Sequence, residues 1–144
     1  MSLTRHFKVI TVLMPFYCLV SFSSARANNE SLPAPITRQA IELYNQGRLA
    51  DATSLQEKAL KQEPSDWLTN AALSYMLWRQ ANVYEAIRQG REAARLAPRN
   101  PVILCNLGLM LQASDDCDEA IDCYRKAIDI EPTSFLPQLG TARC

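Results

Sequence analysis

The sequence predicts an all-α protein in which three helix–turn–helix pairs are stacked as a repeat array. Three observations predict this fold class. Apolar residues recur with a period of 34 residues, prolines recur with the same period, and no segment has the apolar–polar alternation of a strand. The recurring columns are Leu43, Leu77 and Leu111; Ala52, Ala86 and Ala120; Ala59, Ala93 and Ala127; and Pro64, Pro98 and Pro132. A period of this length suits one helix pair, and such pairs bury their apolar faces by stacking.

The N-terminal segment, residues 1–27, is predicted to be a secretory signal peptide. Two basic residues precede an apolar run at 9–20, and an Ala-Arg-Ala cleavage site follows at 25–27. The run is shorter than the roughly 20 apolar residues that cross a bilayer, so an uncleaved anchor is the alternative. We expect the mature chain to begin at Asn28, with a short extension at 28–32 and no stable membrane span.

The repeats are placed at residues 33–66, 67–100 and 101–134, and residues 135–144 follow as a partial fourth unit or capping helix. In each repeat the proline column ends the second helix, because proline lacks an amide proton and disfavours a helical residue before it.

Polar residues mark several helix starts. Asn100 precedes Pro101, which suits an N-cap followed by a proline at the first helical position. Asp66 precedes the first helix of the second repeat, and Asp115 or Asp116 is expected to cap the last helix.

The third copy carries the motifs of a known repeat family. Its motifs are Asn106-Leu107-Gly108 in the first helix, Asp118-Glu119-Ala120-Ile121 and Tyr124-Arg125-Lys126-Ala127-Ile128 in the second, and Glu131-Pro132 at the end. The sequence resembles the tetratricopeptide repeat (TPR) family. The other copies depart from its pattern at Ser74, where glycine is usual, and at Gln56, where an aromatic is usual. The resemblance implies a right-handed α-solenoid of three helix pairs plus a partial fourth helix A, and it implies no particular activity.

Charge and histidine content restrict the function. The 144 residues carry 15 basic and 15 acidic side chains and one histidine, His6, which lies in the predicted leader. A balanced charge gives no electrostatic basis for nucleic-acid binding. Without a mature histidine, Ser-His-Asp catalysis and histidine metal ligation are not expected. The acidic run that begins at Asp115 lacks the glycine and ligand spacing of an EF-hand. We predict no enzyme, no cofactor and no metal.

The resemblance also implies where a ligand binds. In this family, helix A residues line a concave groove that receives peptides. The corresponding residues here are Thr37, Ile41, Tyr44, Asn45, Leu68, Ala71, Tyr75, Trp78, Arg79, Val102, Cys105, Leu109, Gln112 and Ala113. From this set we select Tyr44, Asn45, Tyr75, Trp78, Arg79, Leu109 and Gln112 as partner-binding candidates, since aromatics and arginine are typical of binding hot spots. The alternative is that Tyr75 and Trp78 pack between neighbouring helices.

One chaperone-binding subclass of the family is not matched. Its members clamp a C-terminal carboxylate with lysine and asparagine, and Thr37, Ile41 and Ala72 occupy the equivalent positions here. Asn106 is the one equivalent retained.

Charge is unevenly divided between the repeats. The second repeat is net basic, with Arg88, Arg91 and Arg95 on one helix face, and the third is net acidic. Solvated faces and helix-dipole complementarity explain this. The alternative is end-to-end self-association, in which the basic repeat of one chain meets the acidic repeat of another.

Four cysteines remain after the leader: Cys105, Cys117, Cys123 and Cys144. No C-x-x-C spacing supports zinc or thioredoxin-type chemistry. Cys117 shares a column with Leu49 and Val83, which favours a small core residue. In an oxidising compartment the best candidate disulfide is Cys105–Cys144, on neighbouring A helices.

The sequence therefore predicts an exported, non-enzymatic adaptor that binds a peptide or protein ligand. By resemblance it would assist assembly of an envelope or secretion complex, in the periplasm rather than the extracellular space. The alternative is a self-associating structural module or a fragment of a larger TPR protein.

Overall fold

The computed structural model describes residues 35–133 and Gly140. In this range the chain forms α1 (Pro35–Asn45), α2 (Leu49–Gln62), α3 (Trp67–Arg79), α4 (Val83–Leu96), α5 (Pro101–Ala113) and α6 (Cys117–Ile130). The predicted all-α fold of three helix pairs is confirmed. The predicted signal peptide, the extension at 28–32 and all of 135–144 except Gly140 lie outside the described residues.

The helices pack as consecutive pairs. Helix α1 packs on α2, α3 on α4 and α5 on α6, and the pairs are joined by contacts of α2 with α3 and of α4 with α5. The first helices also touch one another, α1 on α3 and α3 on α5. They therefore share one face of the array, which we call the A-helix face (α1, α3 and α5).

The turn inside each helix pair has the same backbone geometry in all three repeats. The left-handed residues are Gly47 (φ 79°), Ala81 (φ 62°) and Asp115 (φ 62°). The next amide donates to the leucine column: Arg48 to Leu43 at 2.9 Å, Asn82 to Leu77 at 3.0 Å and Asp116 to Leu111 at 2.9 Å. This is the Schellman geometry that satisfies the last carbonyls of a helix. The leucine column therefore marks the end of each first helix.

Two of the predicted N-caps are confirmed and one is wrong in part. The carboxylate of Asp66 accepts hydrogen bonds from the amides at the start of α3, and the Asn100 side chain does the same for α5. Asp116 occupies the N-cap position of α6 but makes no side-chain capping bond. Its carboxylate lies 3.8 Å from the guanidinium of Arg91, and its ψ of 65° departs from the extended backbone of the other two caps. The N-cap residues of α2 and α4, Arg48 and Asn82, share this backbone (ψ of 62° and 68°) and also make no side-chain capping bond.

The two alanine columns lie at the centre of each helix pair. All six alanines, Ala52, Ala59, Ala86, Ala93, Ala120 and Ala127, are at most 2% exposed. Side chains this small let paired helices approach closely, and the larger apolar residues of the neighbouring turns fill the remaining space.

The third helix pair is organised around the ring of Tyr124. This ring is 0% exposed. A Cβ on Gly108 would lie 2.6 Å from its Cε1 atom, and a Cβ on Gly140 would overlap the ring as well. The hydroxyl of Tyr124 donates to Oε1 of Gln112 at 3.1 Å. The ring is therefore held against two glycines, one on α5 and one in the C-terminal segment.

The second repeat has small residues at the two positions where Gly108 and Tyr124 meet in the third. Ser74 and Gly90 occupy the positions equivalent to Gly108 and Tyr124. The Ser74 hydroxyl donates to the carbonyl of Ala86 at 2.8 Å, and the Leu107 side chain fills the space beside Gly90. The aromatic is thus replaced by a leucine from the next repeat.

The first repeat has Gln56 at this position, in a buried polar network. Its amide nitrogen donates to the carbonyl of Thr69 at 3.2 Å and, at 3.5 Å, to the hydroxyl of Thr37. The hydroxyls of Thr37 and Thr69 are 3.0 Å apart. These hydrogen bonds join α1, α2 and α3 at the position where the third repeat has the ring of Tyr124.

Candidate functional site

Four predicted groove residues lie together where α1 and α3 end. They are Tyr44, Tyr75, Trp78 and Arg79, and we call them the aromatic–arginine cluster. The spacing of the last three places them on adjacent turns of one side of α3. The rings of Tyr44 and Tyr75 meet edge to face with centroids 5.7 Å apart, and the rings of Tyr75 and Trp78 are 6.2 Å apart. The cluster thus joins the first and second repeats on the A-helix face.

Hydrogen bonds from Arg79 connect the two tyrosines. Its Nη1 atom donates to the hydroxyl of Tyr44 at 2.7 Å and to the hydroxyl of Tyr75 at 3.4 Å. The Tyr44 hydroxyl donates in turn to that of Tyr75 at 3.4 Å. The Cζ atom of Arg79 also lies 5.9 Å from the centre of the Tyr44 ring, within the range of a cation–π contact.

Arg79 remains charged in this setting. Its hydrogen bond with Tyr75 outweighs the desolvation of its buried part and raises the pKa of the guanidinium above its ordinary value. Its position in the last turn of α3 also lets the positive charge interact favourably with the helix dipole. Within the described residues, Arg79 belongs to none of the ion pairs. The cluster therefore presents a positive charge whose neighbours are neutral aromatics.

The exposure of the cluster supports both the binding and the packing interpretations. Tyr75 is 6% exposed, so its ring packs between helices. Tyr44 and Trp78 are half-buried, and Trp78 packs against the core cluster that contains Leu77 and Leu107. The partly accessible members of the cluster are therefore Tyr44, Trp78 and Arg79.

The other three partner-binding candidates are Asn45, Leu109 and Gln112. Asn45 is exposed at the end of α1. Leu109, on α5, is half-buried and packs on the same core cluster as Trp78. Gln112 is half-buried, and its Oε1 atom already accepts the hydrogen bond from Tyr124. Part of the Gln112 side chain therefore has a structural role.

The wider set of groove positions divides by burial. Three positions are buried, namely Thr37, Leu68 and Cys105. Three are half-buried, namely Ile41, Ala71 and Val102, and Ala113 is exposed. The three buried residues therefore offer little surface to a ligand.

The described cysteines carry free thiols. They are Cys105, Cys117 and Cys123. Burial raises the pKa of Cys105 to about 12 and that of Cys123 to about 11, so the nucleophilic thiolate is scarce at both. Cys144 lies outside the described residues, and its pairing with Cys105 stays a prediction.

The arginine stripe on α4 is paired within the chain. Arg88 pairs with Glu85 on its own helix, and Arg95 pairs with Glu92 at 2.6 Å. Arg91 reaches across to Glu119 at 2.5 Å. This pair joins the basic second repeat to the acidic third repeat of the same chain. Self-association stays a prediction, although the three arginines of this stripe already have carboxylate partners within the chain.

The structure adds a surface that the sequence reasoning did not identify. A cleft of about 650 Å³ lies beside α4, lined by Val83, Tyr84, Ile87, Arg88, Arg91, Glu92, Arg95, Ser114 and Asp116. Tyr84 is 84% exposed at its edge. The repeat pattern contains a signal for this residue. Tyr84 shares its column with Ala50 and Asp118, so it is an aromatic at a position where the other repeats have a small or a charged residue.

The paired helices define an α-helical repeat scaffold, and comparisons with known proteins agree. Residues 101–134 match the sequence model described as the tetratricopeptide repeat. The fold is similar to that of the first TPR of Spaghetti (RPAP3) bound to the HSP90 peptide SRMEEVD, with a TM-score of 0.72, 16% identity, and coverage of 75% of this chain and 86% of that one. It is also similar to the Arabidopsis OM64 TPR domain, with a TM-score of 0.70, 14% identity, and coverage of 75% and 89%. No curated protein sequence matches the chain.

Residues 101–134 are therefore similar in sequence to the tetratricopeptide repeat, and helices α1–α6 share the fold of TPR domains. Across the described residues, no helix is long and apolar enough to cross a membrane. The same part of the chain contains no group of histidine, cysteine and acidic side chains that could hold a metal ion.

Proposed function

We propose that this chain is an exported adaptor that binds a peptide segment of a partner protein on its A-helix face. The observation that carries the proposal is the aromatic–arginine cluster, where Tyr44, Trp78 and Arg79 remain partly accessible on a rigid helical support. Aromatic and arginine side chains dominate the binding energy of protein interfaces, because they combine a large contact area with hydrogen bonding.

The fold likeness supports a peptide as the ligand. The TPR of Spaghetti is bound to an HSP90 peptide in its structure, and that protein shares the fold described here. Of the residues that form a C-terminal carboxylate clamp, this chain retains only Asn106 and has none of the lysines. Two residues at the remaining clamp positions are inaccessible to a ligand. Thr37 is buried and hydrogen-bonded to Thr69, and Ala72 is 5% exposed. The ligand is therefore recognised by other groups.

Export is the second part of the proposal, and it rests on the leader-like residues 1–27. We propose a periplasmic adaptor in the assembly of an envelope or secretion complex. Fractionation of the source cells, followed by N-terminal sequencing, tests this. The expected result is an exported protein that begins at Asn28, whereas a chain that retains Met1 in the cytosol would contradict it.

Site-directed photo-crosslinking in the source cells tests the binding face. A photoreactive residue at Asn45, exposed beside the cluster, is expected to form an adduct with a heterologous protein. The matched control is the same residue at Tyr84, which is exposed on a second helix of a pair. Adducts of equal yield at both positions would contradict binding on the A-helix face. Adducts of the chain with itself at Asn45 would instead support the self-associating module.

A further inference from the structure

We propose that the aromatic–arginine cluster selects its peptide by an internal acidic side chain, an aspartate or glutamate whose carboxylate binds Arg79. A neighbouring apolar side chain of the same peptide packs on Trp78. This inference rests on the proposed function and names the chemistry of its ligand.

Arg79 differs from the other arginines of the array. Within the described residues, Arg38, Arg79 and Arg99 have no ion-paired carboxylate. Arg38 and Arg99 are exposed, so water solvates them, whereas Arg79 is half-buried against two tyrosines. A partly desolvated cation gains more from a carboxylate than an exposed one does, because the effective dielectric constant is lower there. The acceptor that Arg79 lacks in this part of the chain is supplied by the ligand.

The hydrogen-bond donors of the cluster suit one carboxylate. Arg79 uses only Nη1 for its bonds to the tyrosines, and a guanidinium has five N–H donors. Its Nε and Nη2 atoms have no acceptor within the described range. The Tyr44 hydroxyl donates to Tyr75, and no bond within residues 35–133 uses the proton of Tyr75. A forked guanidinium beside a hydroxyl matches the two oxygens of a carboxylate.

Trp78 supplies the second element of recognition. Its half-buried ring lies 6.2 Å from that of Tyr75 and adjoins the position of Arg79 along α3. An exposed ion pair by itself contributes little. An apolar side chain seated on the indole excludes water from the neighbouring charge pair and strengthens it. The recognised element is therefore an acidic residue next to an apolar one, rather than a charge alone.

The geometry favours a side-chain carboxylate over a chain terminus. The positions where this fold would hold a terminal carboxylate carry Thr37, Ile41 and Ala72, none of which is cationic. Arg79 lies in the last turn of α3 and contacts Tyr44, whose chain neighbour Asn45 is exposed. A side chain can reach this position while the peptide continues in both directions.

The test uses the full chain and two arrays of short peptides, one C-terminally amidated and one with free C-termini. Each peptide has a fixed leucine next to a position that holds glutamate, glutamine or lysine, with the remaining positions varied. Wild type is compared with Arg79→Gln and with Arg99→Gln, which removes an exposed arginine and serves as the matched control. Arg79→Lys keeps the positive charge but removes the paired N–H donors of the guanidinium. Circular dichroism of each variant shows whether its helices are folded.

Wild type is expected to bind the glutamate peptides about tenfold more tightly than the glutamine peptides, the value of one charge-assisted hydrogen-bond pair. The preference is expected to disappear in Arg79→Gln, persist in Arg99→Gln and weaken as salt rises. Binding without preference for glutamate, or a preference that survives Arg79→Gln, would overturn the inference and leave the proposed function standing. A preference that appears only with free C-termini would overturn it too. If no peptide binds wild type, the proposed function fails and the inference with it.

Discussion

Replacement of Gly108 by alanine tests the packing of the third repeat most severely. The new Cβ would lie 2.6 Å from Cε1 of Tyr124 and 2.9 Å from Cδ1 and Cζ. Carbon atoms in good contact are about 3.5–4.0 Å apart, so the overlap is about 1 Å. The ring is 0% exposed and meets Gly140 as well. It cannot move away without losing other contacts.

The expected cost follows from two opposing terms. Overpacking of a close-packed core costs about 1–3 kcal/mol, and a rigid buried ring places this site at the upper end. Alanine in the middle of a helix gains about 1 kcal/mol over glycine. We therefore expect Gly108→Ala to lower the free energy of unfolding by about 2 kcal/mol, measured by urea unfolding followed by circular dichroism.

Gly90→Ala is the matched control, because Gly90 is also a buried helical glycine. Its Cβ would meet the Ser74 hydroxyl at 3.1 Å and Cδ1 of Leu107 at 3.2 Å. These are the ends of flexible side chains, so we expect almost no loss of stability. The cost of Gly108→Ala should also shrink in a Tyr124→Leu background. Equal stability of the two alanine variants, or a cost that persists without the ring, would refute this account of the packing.

Three further predictions concern the turns, the ion pairs and the thiols. Ala81→Gly is expected to raise the free energy of unfolding by about 0.5–1 kcal/mol, because alanine is strained at positive φ; a loss of stability in urea unfolding would contradict this. Arg91→Ala is expected to cost less than about 1 kcal/mol at neutral pH. The hydrogen bond from Arg91 lowers the pKa of Glu119. The loss of stability in Arg91→Ala should therefore vanish as pH falls through this lowered pKa, because the protonated carboxyl no longer pairs with Arg91. A loss that is independent of pH would contradict this prediction. In native protein a thiol reagent should modify half-buried Cys117 well before Cys105, whose pKa is about 12; equal rates by mass spectrometry would refute this.

The repeat period predicted the fold well, because it reports packing that every copy must satisfy. The alanine and leucine columns lie at helix contacts and helix ends in all three repeats. Individual caps were harder to predict. Asp116 is a residue type typical of an N-cap, but like Arg48 and Asn82 it follows a residue with positive φ and makes no side-chain capping bond. The residue type alone does not predict that turn geometry.

The candidate site was predicted less completely. The resemblance placed Tyr44, Tyr75, Trp78 and Arg79 on one face, and the structure brings them into contact. Burial of Tyr75 agrees with the alternative that this residue packs between helices, whereas the bond of Gln112 to Tyr124 was not predicted, because it depends on how α5 and α6 pack. Both features arise from tertiary packing rather than from the periodic pattern.

The central claim is that a peptide binds at the aromatic–arginine cluster. The most direct test is to map backbone amide shifts by NMR while a glutamate–leucine peptide is titrated into the full chain. Binding at the cluster predicts amide shifts concentrated in the last turns of α1 and α3, around Tyr44 and Arg79, and these shifts should disappear in Arg79→Gln. Shifts confined to the cleft beside α4, around Tyr84, would contradict it.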